Sequence, residues 1–128
     1  MEMTDKGQLL HARDIVFTAA DFAREKKGDK LLLLDLRERS SLTDYLLLVS
    51  GRSDRQVQAI ADHIHTEFKH QYQLYPLSIE GMDQGRWVLL DYGDVTIHVF
   101  QQPVREFYDL EGLWSEAPEV DLDQESPR

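Results

Sequence analysis

The clearest pattern of hydrophobic and polar positions runs from residue 85 to 100, GRWVLLDYGDVTIHVF. Two apolar runs, 87–91 and 95–100, flank Gly93 and Asp94, a pair typical of a two-residue hairpin turn. Counting outward from this turn places Trp87 opposite Phe100, and it also pairs Leu89 with His98 and Leu90 with Ile97. The sequence therefore predicts an antiparallel hairpin, with a register that a one-residue slip would spoil.

Side chains alternate across a strand, so this register sorts the hairpin into two faces. One face is apolar and is predicted to be core: Val88, Leu90, Tyr92, Val95, Ile97 and Val99. The other face mixes large apolar groups with an acid and an imidazole: Trp87, Leu89, Asp91, Thr96, His98 and Phe100. This second face suits a surface that meets a partner, with Trp87 as a binding hot spot. The alternative is that Trp87 packs beneath the C-terminal helices.

The same periodicities predict the other elements. Ser53 and Gln56 form a capping box that opens a helix with one apolar stripe: Val57, Ile60, Ala61, Ile64 and Phe68. Further helices are predicted at 4–27, 104–108 and 110–114, and further strands at 30–36, 45–50 and 74–79. The predicted fold class is α/β, a mixed β-sheet of about five strands with flanking helices.

The chain of 128 residues suits one domain, predicted to span residues 1–114. Residues 115–128, SEAPEVDLDQESPR, hold five acids, two prolines and little apolar content. Such a composition predicts an acidic disordered tail.

Fourteen Lys and Arg residues stand against 24 Asp and Glu residues, a net charge of −10. A chain this acidic is a poor candidate for binding free nucleic acid, which depends on neutralising phosphates, but it would attract a basic protein. Cysteine is absent, so disulfides and thiolate chemistry are excluded. We expect no signal peptide and no membrane span, and hence a soluble, cytoplasmic protein.

Candidate chemistry is sparse. The strand–turn–helix sequence from Gly51 to Ser53 has the geometry that holds phosphates, although a plain β-to-α turn explains it more simply. His63, His65 and His70 share the following helix, but no second cluster completes a metal site. No nucleophile pairs with His98. We therefore predict no catalytic residue, no metal and no cofactor.

Several spaced segments, taken in order, resemble the ribosomal silencing factor family (RsfS, also called Iojap). They are LTDYLLLVSGRSDRQVQAIADHI, IEG, RWVLLDYGDVTIHVF and REFYDLEGLW, and the resemblance covers roughly residues 31–114. The resemblance implies a sheet like a nucleotidyltransferase core that lacks the catalytic acids. Gly112 departs from expectation, because it interrupts the last predicted helix at a cost of up to about 1 kcal/mol against Ala.

The resemblance also implies a function without catalysis. Such proteins bind the large ribosomal subunit through ribosomal protein fourteen, sterically block joining of the small subunit, and lower translation when nutrients are scarce. The implied contact residues are Trp87 and Tyr108, with Asp91, His98 and Arg105 as neighbours. A homodimer through the same face is a further hypothesis for the unbound protein. The alternative from another class is a nucleotide-binding or nucleotidyltransferase-like enzyme that uses the turn from Gly51 to Ser53.

Overall fold

The computed structural model describes residues 11–123. Its elements are α1 Ala12–Glu25, β1 Asp29–Asp35, β2 Tyr45–Gly51, α2 Asp54–Tyr72, β3 Ser78–Glu80, β4 Trp87–Asp91, β5 Val95–Gln101, α3 Gln102–Tyr108 and α4 Leu110–Leu113. The predicted α/β class with a mixed five-stranded sheet is confirmed. Residues 4–10 of the first predicted helix lie outside the described residues, and likeness to a nucleotidyltransferase core stays a prediction.

The sheet has the strand order β1-β2-β5-β4-β3. β2 and β5 pair in parallel at its centre, and the other neighbours are antiparallel. The predicted hairpin register is confirmed, with Trp87 opposite Phe100 and Leu89 opposite His98. Gly93 has a φ of +85°, a conformation that glycine adopts without the strain that a side chain would cause.

The two faces of the sheet are covered unequally. α1 and α2 pack on one face over the predicted apolar side of the hairpin, where Val88, Leu90 and Ile97 are fully buried. On the opposite face, α3 and α4 cover a smaller cluster formed by Leu34, Leu36, Leu46, Leu48, Phe100 and Ala117. Among residues 11–123, no helix covers the remaining part of β4 and β5 on that face.

The turn into α2 is built from the predicted caps. The Ser53 hydroxyl accepts a hydrogen bond from the Gln56 amide at 3.1 Å, and the Gln56 side chain accepts one from the Arg52 amide at 2.6 Å. A Cβ on Gly51 would lie 2.8 Å from the Val57 side chain, so glycine here allows the helix to approach β2 closely. These contacts explain the turn from Gly51 to Ser53 as a plain β-to-α turn, without a bound phosphate.

The third strand is shorter than the predicted 74–79. The Leu74 amide donates to the Phe68 carbonyl at 3.1 Å, so this residue closes the end of α2 rather than opening a strand. Leu77 reaches the sheet through its amide, which donates to the Asp91 carbonyl at 2.6 Å, and β3 itself begins at Ser78.

The predicted disorder from residue 115 onward is wrong for residues 115–123. The Asp35 amide donates to the Pro118 carbonyl, and the Val120 amide donates to the Leu33 carbonyl, both at 2.9 Å. Ala117 is buried, and Val120 packs against the core. The segment follows the open edge of β1, where unpaired backbone groups gain partners and the acids stay at the surface. The remaining tail residues, 124–128, lie outside the described residues.

The contribution of the packed segment 115–123 to stability can be measured. Val120→Ser should lower the free energy of unfolding by about 1 kcal/mol, because it removes partly buried apolar surface. Glu119→Ser changes the exposed neighbouring residue and should stay within about 0.5 kcal/mol of the wild type. Urea denaturation of both variants makes the comparison. Equal stability of Val120→Ser and the wild type would show that the segment does not pack in solution.

Candidate interaction site

The uncovered part of the sheet presents a mixed face, which we call the open face. It consists of Trp87, Leu89 and Asp91 on β4 and of Thr96 and His98 on β5, all of them partly exposed. The hairpin register places these side chains on the same side, as the sequence predicts. Phe100, the sixth predicted member, is fully buried beneath the C-terminal helices.

Trp87 is held in a defined orientation. Its indole nitrogen donates a hydrogen bond to Nδ1 of His98 at 2.9 Å. Its ring packs on Phe100 and on Tyr108 of α3, with centroid distances of 5.4 and 4.8 Å. The two interpretations of Trp87 therefore both hold in part, since the residue packs against α3 and keeps one side at the surface.

His98 is a neutral imidazole at pH 7. Burial lowers the pKa of His98 from 6.5 to about 4, because the charged form loses hydration. Since Nδ1 accepts the indole hydrogen bond, the ring proton must reside on Nε2. His98 thus orients the indole and has no charge to offer a partner.

Tyr108 projects from the end of α3 and is 56% exposed. The chain then turns at Asp109, which has a φ of +50° and ends α3 while capping α4. The Asp109 carboxylate accepts a hydrogen bond from the Gly112 amide at 3.1 Å. A Cβ on Gly112 would overlap that carboxylate, which explains why this helix contains a glycine.

Arg105 is placed differently from the prediction. It is only 4% exposed, so it does not belong to the surface that a partner would touch. Its guanidinium donates to the Glu111 carboxylate at 2.9 Å, to the Lys30 carbonyl at 2.7 Å and to the Ser50 hydroxyl at 2.8 Å. These bonds attach α3 to β1 and β2 and thereby position Tyr108.

Asp91 contributes mainly to the hairpin turn. Its carboxylate accepts a hydrogen bond from the Gly93 amide at 2.8 Å. The side chain nevertheless lies on the open face opposite Thr96, where it provides negative charge near His98. Four of the five predicted contact residues, Trp87, Asp91, His98 and Tyr108, are thus brought together.

The alternative sites are accounted for by internal contacts. His63 binds the Glu25 carboxylate at 2.7 Å and packs on Phe22, so it belongs to the α1–α2 interface. Across residues 11–123, no group of three or more His, Asp or Glu side chains is arranged to hold a metal ion. At the turn after β2, the Ser53 hydroxyl binds the Gln56 amide, the Gln56 side chain binds the Arg52 amide, and the Asp54 carboxylate would repel a phosphate.

None of the helices between residues 11 and 123 is both long and apolar enough to cross a membrane.

The fold and the site define a mixed α/β protein that displays an aromatic, histidine-bearing sheet face. The family model described as "Ribosomal silencing factor during starvation" matches residues 10–128. The chain belongs to this family.

Individual relatives support the same family assignment. The ribosomal silencing factor of Bacillus subtilis is 40% identical over 114 residues, which cover 89% of this chain and 96% of the relative. A crystal structure of a Chromobacterium violaceum protein has a TM-score of 0.80 and 33% identity, and the match covers 83% of this chain and 88% of the other. The mouse protein named "Mitochondrial assembly of ribosomal large subunit protein 1" is 30% identical over 72% of this chain and 41% of its own length.

The His98 environment makes stability depend on pH in a defined direction. Because the pKa of His98 is lowered in the folded state, the unfolded chain binds more protons between pH 6.5 and 4. Above pH 6.5, the titration of His98 should therefore leave the free energy of unfolding unchanged. As the pH falls toward 4, it should lower the free energy of unfolding by up to about 3 kcal/mol.

The comparison is with His98→Gln, whose carbonyl oxygen can still accept the indole hydrogen bond. Urea unfolding of both proteins at pH 7.5, 6 and 4.5 separates His98 from the carboxylates, which titrate in both. The wild type should lose more stability on acidification than the variant. Parallel losses in the two proteins would contradict the assignment of a buried neutral histidine.

Proposed function

We propose that this protein binds the large ribosomal subunit through ribosomal protein fourteen, on the face that meets the small subunit. Occupying that face would block subunit joining and lower translation in the cytoplasm under nutrient limitation, as in stationary phase. Membership of the ribosomal silencing factor family supports the proposal, and so does the mouse relative, whose name places it in large-subunit assembly. The action is steric, and no bond is made or broken.

The observation that carries the proposal is the pair of Trp87 and Tyr108 at the boundary between the open face and α3. Their rings are 4.8 Å apart, and Tyr108 remains 56% exposed. Aromatic side chains already held in place bind with little loss of rotamer entropy, and tryptophan and tyrosine are over-represented among interface hot spots. His98 lies beside this pair and Asp91 lies further along the open face, and both are proposed further contacts.

Charge supports a ribosomal protein partner. The chain carries a net charge of −10, and ribosomal proteins are generally basic. Opposite fields accelerate encounter and disfavour wrong orientations. The same charge opposes binding through ribosomal RNA, where phosphates would be repelled. We therefore place the contact on a protein component of the large subunit.

The experiment is co-sedimentation with isolated large subunits, followed by addition of small subunits. Tyr108→Ala should weaken binding by about tenfold or more and restore subunit joining, because it removes an exposed aromatic contact. Trp87→Ala should do the same, with circular dichroism to verify that the sheet persists.

Tyr75→Ala is the matched control, since Tyr75 is 57% exposed and follows Leu74, which packs against the core on the other face of the sheet. It should bind like the wild type. Failure of the wild type to sediment with large subunits would overturn the proposed function. If both Tyr108→Ala and Trp87→Ala bind normally, the proposed function is retained and the proposed contact surface is wrong.

We also propose that a second copy of the chain covers the open face when no ribosome is present. The partly exposed Trp87 and Leu89 supply apolar surface for a self-complementary contact. Light scattering over a range of concentrations should then show a dimer that Trp87→Ala weakens. A monomer at all concentrations would contradict this contact.

A further inference from the structure

An apolar groove extends the open face on the far side of His98 from Trp87. It lies between the loop that follows β1 and the helix α4, and we call it the α4 groove. Its lining includes Leu36, Leu42, Leu46, Thr96, Leu110 and Trp114. Leu36 and Leu46 form a buried floor, with exposures of 1% and 3%. His98 lines this groove and also the depression beside Trp87, so the two regions form one continuous surface.

Leu42 stands at the rim of the groove and is 87% exposed. Its position is fixed by the loop, since the Leu42 amide donates to the Ser40 hydroxyl at 3.0 Å. The base of the loop is closed by the Leu36 amide, which donates to the Asp44 carbonyl at 2.8 Å. A leucine held in water beside an apolar floor is a surface that gains free energy when a partner covers it.

The C-terminal segment that supplies Leu110 and Trp114 to the α4 groove is acidic. Residues 106–123 contain seven acids and no Lys, Arg or His, and two of these acids, Glu111 and Asp123, bind Arg105 and Arg24. The loop on the other side carries Arg37 and Arg39, but Arg37 binds the Asp35 carboxylate at 2.7 Å and is neutralised by it. Asp91 adds a further carboxylate at the floor. The balance of charge around the groove is negative.

We propose that the α4 groove is a second docking zone, which receives an apolar side chain from a basic segment of the same protein partner. The inference rests on the proposed function, since the groove adjoins the surface assigned to the large subunit. Continuity through His98 allows one partner to span both regions, and the acidic C-terminal segment beside the groove, together with Asp91, favours a partner segment rich in Lys or Arg. Leu42 is the anchor that this segment would cover.

The experiment measures binding of Leu42→Ser and Leu42→Lys to isolated large subunits. Leu42→Ser removes the apolar contact and should weaken binding about tenfold. Leu42→Lys should weaken it further, because it also places a cation against a basic segment. Leu77→Ser and Leu77→Lys are the matched controls, since Leu77 is 76% exposed and lies before β3. Both should bind like the wild type.

The outcomes separate the two proposals. If Trp87→Ala abolishes binding while Leu42→Ser binds like the wild type, the groove proposal is overturned and the proposed function is not. If the wild type itself does not bind, both are overturned. If Leu42→Lys binds no more weakly than Leu42→Ser, the partner segment is not basic. If Leu42→Ser alters only self-association, the groove binds a second copy of this chain, and the proposed basic segment is wrong.

Discussion

β2 and β5 run parallel at the centre of the sheet, so the chain must return along the sheet between them. α2 makes that return and packs beside α1 on one face, where the main core forms. Within the described part of the chain, the opposite face receives only the short helices α3 and α4 and the segment that follows them. Because these cannot cover five strands, the strip along β4 and β5 remains at the surface. The candidate site is a consequence of this unequal covering.

Features set by near neighbours in the chain were predictable from the sequence. The hairpin register follows from Gly93 and Asp94 and from alternation along two strands, and the start of α2 follows from Ser53 and Gln56. Both depend on contacts that close within a few residues. The composition of the open face follows from the same register, so the sequence alone puts Trp87 and His98 on one side of the hairpin.

Features that depend on distant contacts were not predictable in the same way. Arginine is usually a surface residue. Arg105 is buried because its guanidinium binds the Lys30 carbonyl and the Ser50 hydroxyl, which lie far from it in the sequence. The acidic segment after residue 115 has the composition of a disordered tail. It is ordered because the edge of β1 offers backbone partners to the Pro118 carbonyl and the Val120 amide, which no local pattern encodes.

The hydrogen bonds that hold Trp87 and Tyr108 in place affect how the site would bind a partner. The orientation of Trp87 is fixed by a neutral His98, and that of Tyr108 by the attachment of α3 through Arg105. A partner would therefore meet a surface already in its bound arrangement, and little free energy would go to ordering side chains. Charge lies around this surface, and its centre is uncharged and aromatic. Encounter would then depend on salt, while the lifetime of the complex would depend on aromatic contact.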